Sequence, residues 1–483
     1  MARTLALPIA AAVVIAGYLA SGGRPDSANA WRPGGKPNIV VVMTDDQDFR
    51  SVRRMKAVRR LVGRPGTTFR NSYATYPLCC PSRATFHTGL YSHNHGVLSG
   101  DPGKGGGYQV FVRNVPAKRT VAVRLNRRGY MTGFTGKYLN GYGIGSPTEV
   151  PAGWDRWAAL TGHSEYRMWG YSVNRNGRVA RYGWSTADYQ TDVLGRTAAD
   201  MIRAGHRADR PFFVVLSTVA PHTESETVLG PGARRNPRPA PRHRGRFERK
   251  DLPRVPSFNE KDIDDKPRFF RREHRRRLSA GRIGEIRRLY RSRMESLLAV
   301  DDAVARLGRT LRETGELRKT VFVFTSDNGF LLGEHREYGK ELAYEESARV
   351  PLLIRGPGFP RGATRTQIVG NVDLAPTFMD LAGASAHRMD GVSLLPLAAN
   401  PNARRNRPIL IERARVEGRA YAAIRQGRWK YVKHGGGSSE LYDLSRDPHE
   451  LENLARLRRH AAVRRALSKR LRKLDHCRRD ACR

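Results

Sequence analysis

The chain has 483 residues, 39% of them hydrophobic, enough for one large domain with an appendage or for two or three domains, and this excludes disorder throughout. Its formal net charge is +42, with Arg-rich runs concentrated between Arg234 and Arg293, a field that attracts polyanions, whether nucleic acid, anionic surface or sulfated glycan. No zinc-finger, RNA-recognition or basic-zipper pattern accompanies that charge, so specific nucleic-acid binding is not expected and the charge reads as a modifier of function.

In chain order, the first feature is an export signal. Met1-Ala2-Arg3 precedes an apolar run from Leu5 to Ala20, and Ala28-Asn29-Ala30 ahead of Trp31 has the small-x-small form of a signal-peptidase site, so a signal peptide is expected over residues 1–30. Pro8 and Gly17 interrupt the run, which falls short of the roughly 18 residues of a spanning helix; an uncleaved anchor is the alternative.

Asn38–Met43 is a continuous apolar, β-branched run suited to a strand buried on both faces, and it stops at Asp45-Asp46-Gln47-Asp48. Residues 212–217 form a second such strand, and Thr320–Phe324 repeats the pattern before Ser326-Asp327-Asn328-Gly329. In open α/β sheets the ligand crevice lies beyond the carboxyl ends of the strands. Parallel neighbouring strands would therefore bring the two clusters together, and Asp45, Asp46, Asp327 and Asn328 offer only oxygen donors, which suit Ca²⁺ or Mg²⁺ better than zinc. Helix capping after a βα turn is the other reading of either cluster alone.

Between these strands, Cys79-Cys80-Pro81-Ser82-Arg83 leads into Ala84–Thr88, a helix ending at Gly89. Proline in a first turn and outward-facing backbone N–H groups make such an entrance attractive to anions. On these five residues alone a reactive centre and a pair of buried apolar thiols are equally good readings. His93-Asn94-His95 reads as a structural turn after the helix, and Pro231–Pro267, rich in Pro and Arg, as a long surface loop near the site that meets substrate through Arg234, Arg235 and Arg238. Asp373–Leu381 reads as a helix. Beyond about Gly391 come short strands at Pro408–Arg413, Tyr421–Arg425 and Trp429–Lys433, then an Arg-rich helix from about Asn453 to Asp475. Four cysteines do not form a disulfide scaffold, although Cys477 and Cys482 are placed to close a small terminal loop in an exported protein.

The pentapeptide resembles the modification signature of the type I sulfatases, Cys-x-Pro-Ser-Arg followed by Thr-Gly. The resemblance extends through Pro37–Gln47, Thr135–Asn140, Ala220-Pro221-His222, Ser326–Gly329, Gly339-Lys340, Tyr344–Pro351, Asn371–Thr377 and Glu440–Leu444, covering about Pro37 to Leu454. Lys137-Tyr138-Leu139-Asn140 and Pro256–Glu260 are similar to the N-acetylglucosamine-6-sulfatase branch and its extracellular endosulfatase relatives. The resemblance implies an alkaline-phosphatase-like α/β fold with a mostly parallel central sheet flanked by helices, a catalytic domain over residues 36–390, and a small antiparallel C-terminal subdomain over 391–483. It also implies oxidation of Cys79 to formylglycine by a formylglycine-generating enzyme, with Cys80 the variable position. By the same match Ca²⁺, in preference to Mg²⁺, sits on Asp45, Asp46, Asp327, Asn328 and modified Cys79. Arg83 orients the nucleophile, Lys137 and Lys340 bind sulfate, and His222 protonates the leaving alcohol. Many arylsulfatases carry His two residues past the catalytic Lys; here it is Leu139, so His222, or another group such as His335, has to supply more of the proton transfer. The expected substrate is a sulfated sugar. Arylsulfatase, phosphate or phosphonate monoester hydrolase, and a catalytically silent polyanion-binding protein are the alternatives.

Overall fold

The computed structural model describes residues 35–225, 234–414 and 420–483. The expected signal peptide lies outside them.

Ten strands form the central sheet: β1 (Asn38–Thr44), β2 (Thr67–Tyr73), β3 (Met131–Gly136), β4 (Arg156–Leu160), β5 (Ser172–Arg175), β6 (Arg178–Arg181), β7 (Phe212–Ser217), β8 (Thr320–Ser326), β9 (Leu352–Arg355) and β10 (Ala363–Gly370). Their order is β10-β2-β9-β8-β1-β7-β3-β4-β5-β6. The sheet is parallel from β8 through β4 and again between β10 and β2; β9, β5 and β6 run antiparallel to their neighbours. The runs at β1, β7 and β8 lack polar alternation because both faces are covered. Val40, Val42, Val214, Leu216, Phe322 and Phe324 face helices α2 (Gln190–Arg207) and α3 (Ala280–Glu313). Ile39, Val41, Phe213, Val215, Val321 and Val323 face α1 (Cys79–Thr88) and α4 (Leu374–Leu381). At about 25 cal/mol per Å² of apolar surface removed from water, this double burial is the main term holding the layers together.

The C-terminal part is a four-stranded antiparallel sheet, β11 (Ile409–Arg413), β12 (Tyr421–Gln426), β13 (Trp429–His434) and β14 (Ser439–Asp443). Helix α5 (Ala461–Leu474) covers it, with Leu467, Leu471 and Leu474 packed among Leu410, Ile424, Tyr431 and Leu441. The last helix thus starts later than its expected position near Asn453. Asn453 instead accepts from the backbone of Leu441 and Ala455, and two 3₁₀ turns, Leu454–Arg456 and Arg458–His460, occupy the stretch. The β14 strand was not among the elements expected.

Two of the connections that lock this sheet to the main body centre on Asp373 and on His93. Arg407 makes paired hydrogen bonds of 2.8 and 2.9 Å to Asp373, whose carboxylate also accepts from the Gly370 and Val392 amides. Removing one partner of such a buried pair typically costs about 3–5 kcal/mol. The second connection is the His93-Asn94-His95 turn. His93 Nδ1 lies 2.9 Å from Glu412 and its Nε2 2.9 Å from the Cys477 carbonyl, Asn94 donates to Asp390 and to the same carbonyl, and His95 Nε2 lies 3.1 Å from Thr85 Oγ1. Burial opposes the His93 charge, but the Glu412 hydrogen bond and carboxylate prevail and carry its pKa to about 9. Cys477 and Cys482 are disulfide-bonded. No helix among the described residues is long and apolar enough to cross a membrane.

Candidate active site

The β1–β8 register pairs Thr44 with Ser326, so the residues that follow each strand emerge side by side at one sheet edge. Asp327 Oδ1 accepts from the Asp46 amide at 3.0 Å and from the Asn328 amide at 2.8 Å, while Asn328 Nδ2 donates to Asp46 Oδ1 at 2.7 Å. Asp46 has φ of 66°, a left-handed conformation that Asp tolerates better than most residues, and Arg293 of α3 holds it there by donating to its carbonyl.

Helix α1 begins at Cys79 itself, after the extended Leu78, with Pro81 in its first turn and Gly89 (φ 70°) closing its end. Cys79 Sγ lies 3.2 Å from Asp45 Oδ1 and 3.8 Å from Asp46 Oδ1. One turn on, Arg83 is fully buried. Its Nε donates to Asp327 Oδ2 at 2.8 Å, its Nη1 to the Lys137 carbonyl at 2.8 Å and Ser217 Oγ at 2.6 Å, and its Nη2 stands 3.6 Å from Asp45 Oδ2. Arg83 therefore ties the ends of β3, β7 and β8 together as well as facing the acids.

Three further groups converge from separate segments. Lys137, just past β3, places Nζ 2.6 Å from Asp45 Oδ2. Lys340 Nζ donates to Asp46 Oδ1 at 2.5 Å and lies 2.7 Å from Cys79 Sγ. The His222 Nδ1 donates to the Thr223 carbonyl at 2.6 Å, which turns Nε2 toward Asp46 Oδ2, 3.5 Å away. Donor atoms of Asp45, Asp46, Cys79 and His222 all lie within 4.8 Å of one another.

The charges fit a site without bulk water. Burial favours neutral Asp45 and Asp46, but the neighbouring cations outweigh it, Lys137 foremost for Asp45 and Lys340 for Asp46, and hold both below the usual carboxylate range. Asp327 is pushed up to about 6 by burial and by Asp45. Lys137 and Lys340 stay charged despite burial because Asp45 and Asp46 face them. Burial lowers His222 to about 4, and burial with Asp45 raises the Cys79 thiol well above its ordinary range. Three carboxylates beside a neutral amide oxygen are a donor set for a hard divalent cation, and Asn328 Oδ1 is buried without a hydrogen-bond partner among the described residues. The residues present fit such an ion.

All nine residues singled out in the sequence (Asp45, Asp46, Cys79, Arg83, Lys137, His222, Asp327, Asn328 and Lys340) meet here. His335 does not join them. Its Nδ1 is 2.7 Å from Glu260, its ring stacks on Tyr344 at 3.9 Å, and its Nε2 looks toward Glu346 in a separate buried network, where Lys430 already pairs with Glu345 and Glu450. Leu139 is buried in the apolar layer and brings no polar group. Arg238 is not a substrate-facing cation: it pairs with buried Glu224 at 2.8 and 2.7 Å and lies between Trp169 and Trp184, because a buried carboxylate captures the nearest guanidinium. Arg235 also faces Glu224, at 3.9 Å.

Sequence reasoning missed Ser217, Arg293, Glu165 and Tyr166. Ser217 ends β7 and donates to the Lys137 carbonyl at 2.7 Å; its place at a strand end was a usable signal. Glu165 is buried and pushed up to about 7 by burial, against the pull of Lys137, and nothing local in the sequence marks it.

A family model described as Sulfatase matches residues 37–384, and one described as N-sulphoglucosamine sulphohydrolase, C-terminal, matches 333–477. The chain belongs to the sulfatase family. It is 31% identical to the N-acetylglucosamine-6-sulfatase of Capra hircus over 479 residues, covering 90% of this chain and 83% of that one. It is 34% identical to the human N-acetylglucosamine-6-sulfatase, over 75% of this chain and 64% of the human protein. A putative extracellular sulfatase Sulf-1 homolog of Caenorhabditis elegans is 36% identical, and there the chain spans about half the relative's length (49%). Among solved structures, a protein in complex with its substrate D-glucosamine-2-N,6-O-disulfate superposes with a TM-score of 0.74 at 25% identity, covering 91% of this chain and 98% of the other. This sulfatase is a sulfuric ester hydrolase, built on the alkaline-phosphatase-like fold.

Proposed function

We propose that the enzyme is exported and removes sulfate from sulfated sugars, with the 6-O-sulfate of a glucosamine unit in a glycosaminoglycan-type chain as the preferred ester. The observation that carries the reading is the convergence of Cys79 on Asp45 at 3.2 Å and Lys340 at 2.7 Å, at a helix entrance facing two metal-type acid loops. The names of the relatives and the disulfated glucosamine bound by the structural neighbour support the substrate class. Relatives named as extracellular sulfatases support export, as does the cleavage motif at Ala28-Asn29-Ala30.

A sulfate monoester is a poor electrophile whose charge is spread over its oxygens, so hydrolysis needs a strong nucleophile, charge neutralisation and a proton for the leaving oxygen. Cys79 is assigned as the position oxidised to formylglycine, whose hydrate offers two hydroxyls on one carbon, one to attack sulfur and one to release sulfate afterwards. Asp45, Asp46, Asp327 and Asn328 would hold Ca²⁺, which lowers the pKa of a neighbouring hydroxyl. Arg83, fixed by three acceptors on three strand ends, holds the nucleophile side of the site rigid. Lys137 and Lys340 neutralise the sulfate oxygens, since both ammoniums already point at the centre. His222, whose Nδ1–H is held by Thr223, takes up at Nε2 the proton that the attacking hydroxyl gives up and passes it to the departing alcohol. A phosphonate monoester hydrolase shares the fold, with a TM-score of 0.66 at 21% identity. Turnover of nitrophenyl sulfate and nitrophenyl phosphate therefore provides the test: the sulfate is expected to be hydrolysed with the higher kcat/KM, and preference for the phosphate would overturn the assignment.

A further inference from the structure

We infer that Tyr166 is a positioning residue for sulfate transfer, holding Lys137 and His222 in fixed relation across one aromatic ring; this rests on the roles proposed for those two residues. Tyr166 follows β4 and is half-buried. Lys137 Nζ lies 4.4 Å from the centroid of its ring, and the His222 ring lies 4.5 Å from the same centroid, tilted by 34°. Its hydroxyl accepts from Asn140 Nδ2 at 2.9 Å. The Asn140 backbone is itself held, because its carbonyl accepts from the Tyr108 amide at 2.8 Å.

Lys137 and His222 come from beyond the ends of different strands, β3 and β7. The ring of Tyr166 touches both. For Lys137, an aromatic face attracts the ammonium without drawing off a proton or competing as a charged acceptor, so the lysine remains aimed at Asp45 and the site centre. For His222, the Nδ1 bond to Thr223 fixes the tautomer, and packing against Tyr166 limits how the ring turns and so helps to set the direction of Nε2. The Asn140 bond then keeps the tyrosine from swinging. A group that does both sets the distance between the cation gripping sulfate and the imidazole serving the leaving oxygen, a relation that matters most in the transition state.

The test is steady-state kinetics on nitrophenyl sulfate with the full chain and its variants Tyr166→Leu, Tyr166→Phe, Asn140→Ala and the Tyr166→Phe/Asn140→Ala pair. Losing the ring is expected to lower kcat about 5- to 30-fold, the scale of a desolvated cation–π contact. KM should stay within about threefold, since uniform binding is untouched. Phenylalanine keeps the ring and should recover most of the lost rate. The double variant should be no slower than the slower single one, because both changes break the same hydrogen bond. A Tyr166→Leu enzyme with wild-type kcat, a Tyr166→Phe enzyme as slow as Tyr166→Leu, or a loss confined to KM would each overturn the inference. If Tyr166→Leu does not fold, the other three variants decide: additive losses from Tyr166→Phe and Asn140→Ala overturn it, and non-additive losses support it. A wild-type enzyme inert on nitrophenyl sulfate would overturn the proposed roles of Lys137 and His222 together with this inference, whereas an active wild type with an equally active Tyr166→Leu overturns this inference alone.

Discussion

Cys79→Ala is expected to lower kcat on nitrophenyl sulfate by at least about 10³-fold, on the scale seen when a covalent nucleophile is removed, while Cys80→Ala keeps kcat within a factor of about two, as substitutions outside a reacting site do. The contrast follows from which way each side chain points. Cys79 Sγ sits among Asp45, Asp46 and Lys340. Cys80 is buried in the apolar layer with Phe86, Tyr138 and Leu139, so its loss costs packing, about 1 kcal/mol, and no chemistry. Cys79→Ser belongs to the same test. A serine hydroxyl has no second hydroxyl on its carbon, so it is expected to turn over once and stall. Single-turnover kinetics separates that stall from a simple loss of binding, and a Cys79→Ser enzyme cycling at the wild-type rate would rule out the geminal-diol chemistry.

The second large effect concerns the acid loops. Stripping divalent cations with a chelator is expected to lower kcat by about 10³-fold or more, since metal assistance contributes several kcal/mol at the transition state and each 1.36 kcal/mol is a factor of ten. The protein should stay folded, because Asp45 pairs with Lys137, Asp46 with Lys340 and Asp327 with Arg83 within the chain itself. On the proposed chemistry an ion is needed for turnover because the two lysines cannot both neutralise the carboxylates and grip sulfate. Readdition of Ca²⁺ should restore the rate more fully than Mg²⁺, given the number of oxygen donors and the absence of strict octahedral demand. Activity undiminished after chelation, with metal content checked by elemental analysis, would sink the assignment. Circular dichroism on the stripped protein tells loss of chemistry from loss of fold.

Much of this site was legible because its residues sit where the chain changes character. Strands β1 and β8 announce themselves as apolar runs buried on both faces, and Asp45 and Asp327 stand where those runs stop, so strand-end logic alone brings the acids together. Cys79 and Arg83 are a helical turn apart at a proline-marked entrance, a local pattern. Tyr166 and Arg293 carry no such mark. One reaches Lys137 and His222 from an irregular segment after β4, and the other reaches Asp46 from the middle of a long helix, so their roles exist only once the layers are packed. The Arg-rich loop misled for the converse reason. Composition suggested exposed cations, whereas buried Glu224 holds Arg238 through both its guanidinium and its backbone amide. The late start of α5 is a capping effect: Asn453 spends its side-chain oxygen on the Leu441 and Ala455 amides, which favours a turn over continued helix.

The most direct measurement is mass spectrometry of the peptide containing Cys79 and Cys80, taken from active protein made in its native host. The expected result is an aldehyde at Cys79 beside an unmodified thiol at Cys80. Active protein carrying only a thiol at Cys79 would contradict the proposed chemistry.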